Sequence, residues 1–151
     1  MIRRLESGTA DWFKQRLLAI QPDARPAWGK LTPAGLMAHL RHTLQVSLGE
    51  VEVHDTSNLF MRTIGRVLAF HLFTKWPGGT IKAPADWTPE PTAGFETERD
   101  QTLAALDRFA EAATLDPTRR TVSPLLGPIT LDYWQHVHGV HLAHHFRQFG
   151  V

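Results

Sequence analysis

Cysteine is missing from the chain altogether. That one absence removes disulfides, thiolate metal sites and cysteine nucleophiles together, so a metal site has only histidine and carboxylate to draw on. A dominant charge sign is missing too. The formal net charge is +1, and lysine and arginine fall in small groups such as Arg3–Arg4 and Arg119–Arg120 rather than along a stripe. Such a surface does not suit a phosphate backbone, which sets nucleic acid aside as a partner. Long apolar runs are also absent. The greasiest segment, LFMRTIGRVLAFHLF from Leu59, carries Arg62 and Arg66 and falls short of the about 20 residues that a membrane helix needs. The apolar stretch near the N-terminus is broken by Asp11, Lys14 and Arg16, unlike a secretory signal. A cytoplasmic protein without a membrane partner is the expectation.

What remains suits one globular domain over residues 1–151. Hydrophobic residues make up 42% and charged residues 21%, and a chain of this length buries roughly 70% of the surface its unfolded form exposes. Helical periodicity dominates, and no useful length alternates as a strand would. An accessory first helix is predicted from Thr9 to Ile20, with Trp12, Phe13, Leu17 and Ile20 on one stripe. Thr32 followed by Pro33 is a good start for a second helix, which runs to about Leu48 and stops at Gly49. A third begins near Ser57 and ends before Trp76. Its apolar stripe (Leu59, Phe60, Ile64, Val67, Leu68, His71 and Leu72) is wider than a surface helix needs. Residues 76 to about 95 hold four prolines and no period, a long loop of the kind that covers functional sites. Thr97 with Asp100 reads as the start of a fourth helix carrying Leu103, Leu106, Phe109 and Ala113. Thr130 caps the last helix, with Asp132 in its first turn. The predicted class is all-α: four main helices in a bundle, with the accessory N-terminal helix added.

Histidine is the residue in excess. There are nine, four of them inside HGVHLAHHFRQFG from His138. On a helical wheel, Trp134, Val137, His138, His145 and Gln148 all fall within about 60° of His141. His144 lies at the edge of that sector. His141 and His145 are one turn apart, a spacing at which two imidazoles reach one ion. A third ligand should come from another helix, and His39 fits because it shares the inward stripe of Leu36, Leu40 and Thr43. His42, three residues on, is a substitute or a ring-orienting partner. His138 is the rival to His145 for the second ring of the last helix. Leu142 stands where a zincin motif needs glutamate, which disfavours metalloprotease chemistry.

The AHL of the second helix, with GPITLDYW and HLAHHFRQFG at the end of the chain, resembles the DinB-like superfamily of helical-bundle metalloproteins, in a subgroup ending in this manner. The resemblance implies an up-down-down-up four-helix bundle, frequently a homodimer. It also implies one divalent metal on three histidines, which correspond to His39, His141 and His145, with His144 not a ligand. Some relatives are transferases that attach a low-molecular-weight thiol to a substrate.

The function expected is therefore a metal-dependent enzyme acting on a small molecule, by thiol transfer or hydrolysis. The alternatives are a metal- or ligand-binding bundle without turnover and a bundle whose histidines merely pack. Histidine-only sites accept several ions; zinc and nickel rank ahead of iron, cobalt and manganese. Metal release is expected between about pH 7 and pH 5, where free imidazole protonates. His71 is read as core or pocket lining, Trp134 as a marker of the inward face, and Gln148 as a partner that orients a ligand ring. Trp28 and Trp87 are read as packing under loops, Arg62 and Arg66 as a solvated face, and His54 as exposed.

Overall fold

The computed structural model describes residues 3–67 and 87–151. Within them the chain is mostly helical, with one small sheet. Helix α1 covers Ala10–Ala19 and buries Ala10, Phe13 and Leu17 along one face. Helix α2 covers Pro33–Leu48. The Thr32 hydroxyl accepts the Gly35 N–H, proline takes the first helical position, and Gly49 closes the helix at φ 74. That left-handed backbone costs a glycine nothing and any side chain something. Residues 59–67 are helical and contain a π-helical turn, Met61–Gly65.

Helix α3, Phe95–Leu115, starts two residues earlier than Thr97, with Gly94 as its N-cap and no side chain capping it. A hairpin follows, β1 Arg120–Ser123 and β2 Gly127–Thr130, antiparallel with Arg120 opposite Thr130 and Ser123 opposite Gly127. It adds a small two-stranded sheet to the helical class expected. Four-residue strands are too short to show a period, and Pro128 in β2 weakens the signal further. Helix α4, Leu131–Phe149, is capped by the Thr130 hydroxyl on the Tyr133 N–H and ends at Gly150, φ 73.

The core lies between the helices. Phe13, Leu17, Leu36, Leu40, Leu106, Phe109, Leu131 and Trp134 are all essentially inaccessible to water. The hairpin is pinned to α2 and α4 through one hydroxyl: Thr121 Oγ1 donates to the Ser47 carbonyl (2.9 Å) and accepts from Trp134 Nε1 (2.8 Å). The N-terminal segment crosses α4 at Gly139, where an added Cβ would overlap the Arg3 carbonyl. That crossing is held by the Leu5 N–H on the Gln135 carbonyl (2.9 Å) and by Arg4, which reaches Gln135 Oε1 (2.6 Å) and Asp132.

Leu59, Phe60, Ile64 and Val67 stand more than half exposed. Leu68, His71 and Leu72, and with them the last part of the predicted third helix and the first part of the predicted loop, lie outside the described residues. Arg66 is not a solvated face. It donates to the carbonyls of Leu126 (2.7 Å) and Pro128 (3.0 Å), tying the helical stretch 59–67 to the hairpin. Arg62 pairs with Asp55 at 2.6 Å. No helix among the described residues is long and apolar enough to cross a membrane.

Candidate metal centre

Two helices bring three imidazoles to one point. On α4, His141 and His145 stand one turn apart on the buried face, with His145 Nε2 3.0 Å from His141 Nε2. From α2, His39 places its Nε2 2.9 Å from the same His141 atom. All three rings are buried, at most 8% exposed, and one donor atom from each lies within 4.8 Å of the others. Nitrogens sharing a tetrahedral zinc at 2.0–2.1 Å stand about 3.3 Å apart, so these separations are near those of ligands to a common ion.

Which nitrogen carries each proton follows from what the far side of the ring touches. His39 Nδ1 lies in a short contact with the Trp87 carbonyl, which can only accept, so Nδ1 holds the proton and Nε2 presents its lone pair. His145 Nδ1 meets Gln148 Oε1 at 2.8 Å, while Gln148 Nε2 donates to the Trp28 carbonyl at 2.9 Å. The second bond fixes which way the amide faces, and the first then puts the His145 proton on Nδ1 and its lone pair on Nε2. Two lone pairs therefore aim at the His141 nitrogen. A single His141 N–H serves one of them well, whereas a cation serves all three rings.

Burial keeps the rings neutral, the form that ligates. It lowers His145 to about 3, with His39 adding to the effect. It holds His141 well below 6.5, reinforced by His145 and His39. It lowers His39 as well, against the opposing pull of the Trp87 carbonyl. Protons therefore compete for these rings only at lower pH than the reference value of imidazole implies, and an ion held there would meet less competition over the window of about pH 7 to 5 than the sequence alone suggests.

The other predicted residues take distinct places. His138 is buried outside the trio. Ser47 Oγ gives its own proton to the Leu44 carbonyl (2.7 Å) and accepts from His138 Nε2 (2.8 Å), and the ring stacks on Trp134. Trp134 thus braces the hairpin and His138. His42 is half-buried on α2, near enough to His39 to lower its pKa. His144 is half-buried beside Trp28, ring centroids 5.6 Å apart. Gln148 sits on His145, and His54 is exposed. His71 lies outside the described residues.

Sequence reasoning missed three contributors. Trp28 and Trp87 act through their backbone carbonyls, which have no residue signature. Glu98, placed by the sequence just inside a helix start, is fully buried. Its Oε1 accepts from the Thr92 N–H (2.7 Å), the Thr92 hydroxyl (3.0 Å) and the Ala93 N–H (3.2 Å), and its Oε2 takes Arg41 at 2.8 Å. Burial pushes this carboxyl's pKa up, but the Thr92 and Arg41 donors outweigh it and hold the group below the usual value. A TxxD pattern mistaken for a capping box hid it.

Residues 14–150 match a family of proteins of unknown function, DUF1569. The chain belongs to the DUF1569 family. No curated relative and no solved structure matches it. The matched span holds all three histidines, Gln148, Glu98 and both carbonyl-bearing loops, so the whole centre of this DUF1569 protein lies inside the family domain.

Proposed function

We propose that this DUF1569 protein is a DinB-like metalloprotein that binds one divalent ion through Nε2 of His39, His141 and His145 and acts on a small molecule. The observation that carries this reading is the fixing of two tautomers, His39 by the Trp87 carbonyl and His145 by Gln148, so that both lone pairs face the third ring. The donor set fits. Three neutral imidazoles suit zinc or nickel ahead of iron, cobalt or manganese, and no fourth His, Asp or Glu joins the cluster among the described residues, which leaves a coordination position for a ligand. A divalent ion held there by His39, His141 and His145 would supply Lewis acidity. The chain's own part is to keep the three rings neutral, oriented and out of bulk water. Thiol transfer or hydrolysis are the reactions this suits, with a low-molecular-weight thiol as the co-substrate in the first.

The burial of all three rings favours a second reading, in which the ion is held without turnover. Zinc- or nickel-loaded protein incubated with small thiols and electrophiles, and separately with ester and amide substrates, separates the two. Turnover that disappears in His39→Ala supports the enzyme. Loaded protein that turns nothing over leaves the binding module.

The fold proposed is the up-down-down-up bundle of the DinB-like proteins with an accessory N-terminal helix; α2, α3 and α4, with α1 packed on the same core, support it. The exposed Leu59, Phe60, Ile64 and Val67 support assembly as a homodimer. Light scattering giving twice the chain mass is the expected result, and a monomer at micromolar concentration removes that part of the reading.

A further inference from the structure

The carboxylate of Glu98 is an expensive thing to bury, and its partners lead to the histidines. A fully buried charge needs several donors to be tolerated, and Glu98 has five hydrogen bonds, three from residues 92 and 93 and two from Arg41. Residues 92 and 93 end the segment WTPEPTA that begins at Trp87, whose carbonyl holds His39 Nδ1. Pro89 and Pro91 lie between the two anchor points, and proline fixes φ, so the segment is a stiff strap rather than a slack loop. Arg41 sits on α2 two residues after His39. Both ends of the strap are therefore referred to one helix: the start directly through His39, the end through Glu98 and Arg41.

We propose that Glu98 is a positioning residue for the histidine cluster. By clamping residues 92 and 93 to Arg41 it holds the Trp87 carbonyl against His39 Nδ1 and so keeps the His39 Nε2 lone pair turned toward His141 and His145. A carboxylate near the first turn of α3 would also steady that helix end on its own. That local role does not need Arg41 from another helix, and it does not reach His39. The metal-affinity consequence rests on the proposed function; the tautomer consequence does not.

The test uses full-length Glu98→Ala together with a surface-side variant, Pro89→Gly/Pro91→Gly, which slackens the strap without touching the buried carboxylate. Nitrogen-15 NMR of the metal-free protein reads the His39 tautomer, and competition with a chromophoric chelator reads zinc affinity. Both variants are expected to give a mixed His39 tautomer where the wild type gives Nδ1–H alone, and zinc binding weakened about 10- to 100-fold, as for other partners that orient a ligand ring. Glu98→Gln keeps an acceptor for the strap N–H groups and is expected to recover most of the Nδ1–H signal. A folded Glu98→Ala with an unchanged His39 tautomer overturns the proposal. If that variant does not fold, an unchanged tautomer in the double proline variant overturns it instead. Wild-type protein that binds no zinc counts against the metal reading alone, because the tautomer comparison still decides the role of Glu98.

Discussion

The buried rings make this fold acid-sensitive, and His138 is the place to measure it, since it lies outside the trio. The ring is 2% exposed, and burial alone lowers its pKa from 6.5 to about 3. Above pH 6.5 it is neutral in both the folded and the unfolded chain and has no effect on the balance. Between 6.5 and about 3 only the unfolded chain takes up the proton, so stability falls as the pH falls, by about 1.4 kcal/mol per pH unit. At pH 5 the loss is about 2 kcal/mol from this ring alone, a large part of the roughly 5–15 kcal/mol that holds a domain together. His39, His141 and His145 shift in the same direction. The perturbation is His138→Leu, which removes the titrating ring at similar volume. In chelator at pH 7.5 the variant loses the Ser47 hydrogen bond and the Trp134 stack, and should be about 1–2 kcal/mol less stable than wild type. By pH 5 that deficit should close by about 2 kcal/mol. Urea unfolding at both pH values is the assay; with m near 2 kcal/mol/M the gap between midpoints closes by about 1 M. Midpoints that run parallel from pH 7.5 to 5 would mean that the His138 ring does not titrate differently in the folded and unfolded chains.

Gly139→Ala should destabilise the fold by about 1–3 kcal/mol or more in the same urea assay, because the backbone of Arg3 and Arg4 must move off α4 to admit a methyl group. Gln148→Leu leaves the His145 tautomer undirected and should weaken zinc binding about 10- to 100-fold by chelator competition, with little change in the circular dichroism of the folded chain. His145→Ala should lose bound metal by elemental analysis after dialysis, whereas His138→Ala should keep it; the reverse pattern would assign the second α4 ligand to His138.

Both ends of α2 and the start of α4 were legible because caps are local: Thr32, Gly49 and Thr130 carry the signal within a few residues. The convergence of His39, His141 and His145 was legible for a related reason, since one-turn spacing on α4 and a shared apolar stripe on α2 fix direction before any contact is known. The rest depended on long-range partners. The hairpin of four-residue strands is tied down through Thr121, held between Trp134 and Ser47, the latter 74 positions away. Arg66 looked like a surface charge because its acceptors are carbonyls some 60 positions away. Glu98 carries no signal of its own in the sequence, because Arg41 and the strap come beside it only in the fold. The two tryptophan loops offered side chains to the reader, while their carbonyls do the orienting.

Whether His39, His141 and His145 share one ion can be read from X-ray absorption at the zinc edge of the zinc-loaded protein. The expected spectrum shows one equivalent of zinc with three imidazole nitrogens at about 2.0–2.1 Å, a light oxygen or nitrogen scatterer completing the shell, and one imidazole fewer, or no bound zinc, in His39→Ala. A spectrum with fewer than three imidazoles, or one unchanged by His39→Ala, would contradict the shared ion.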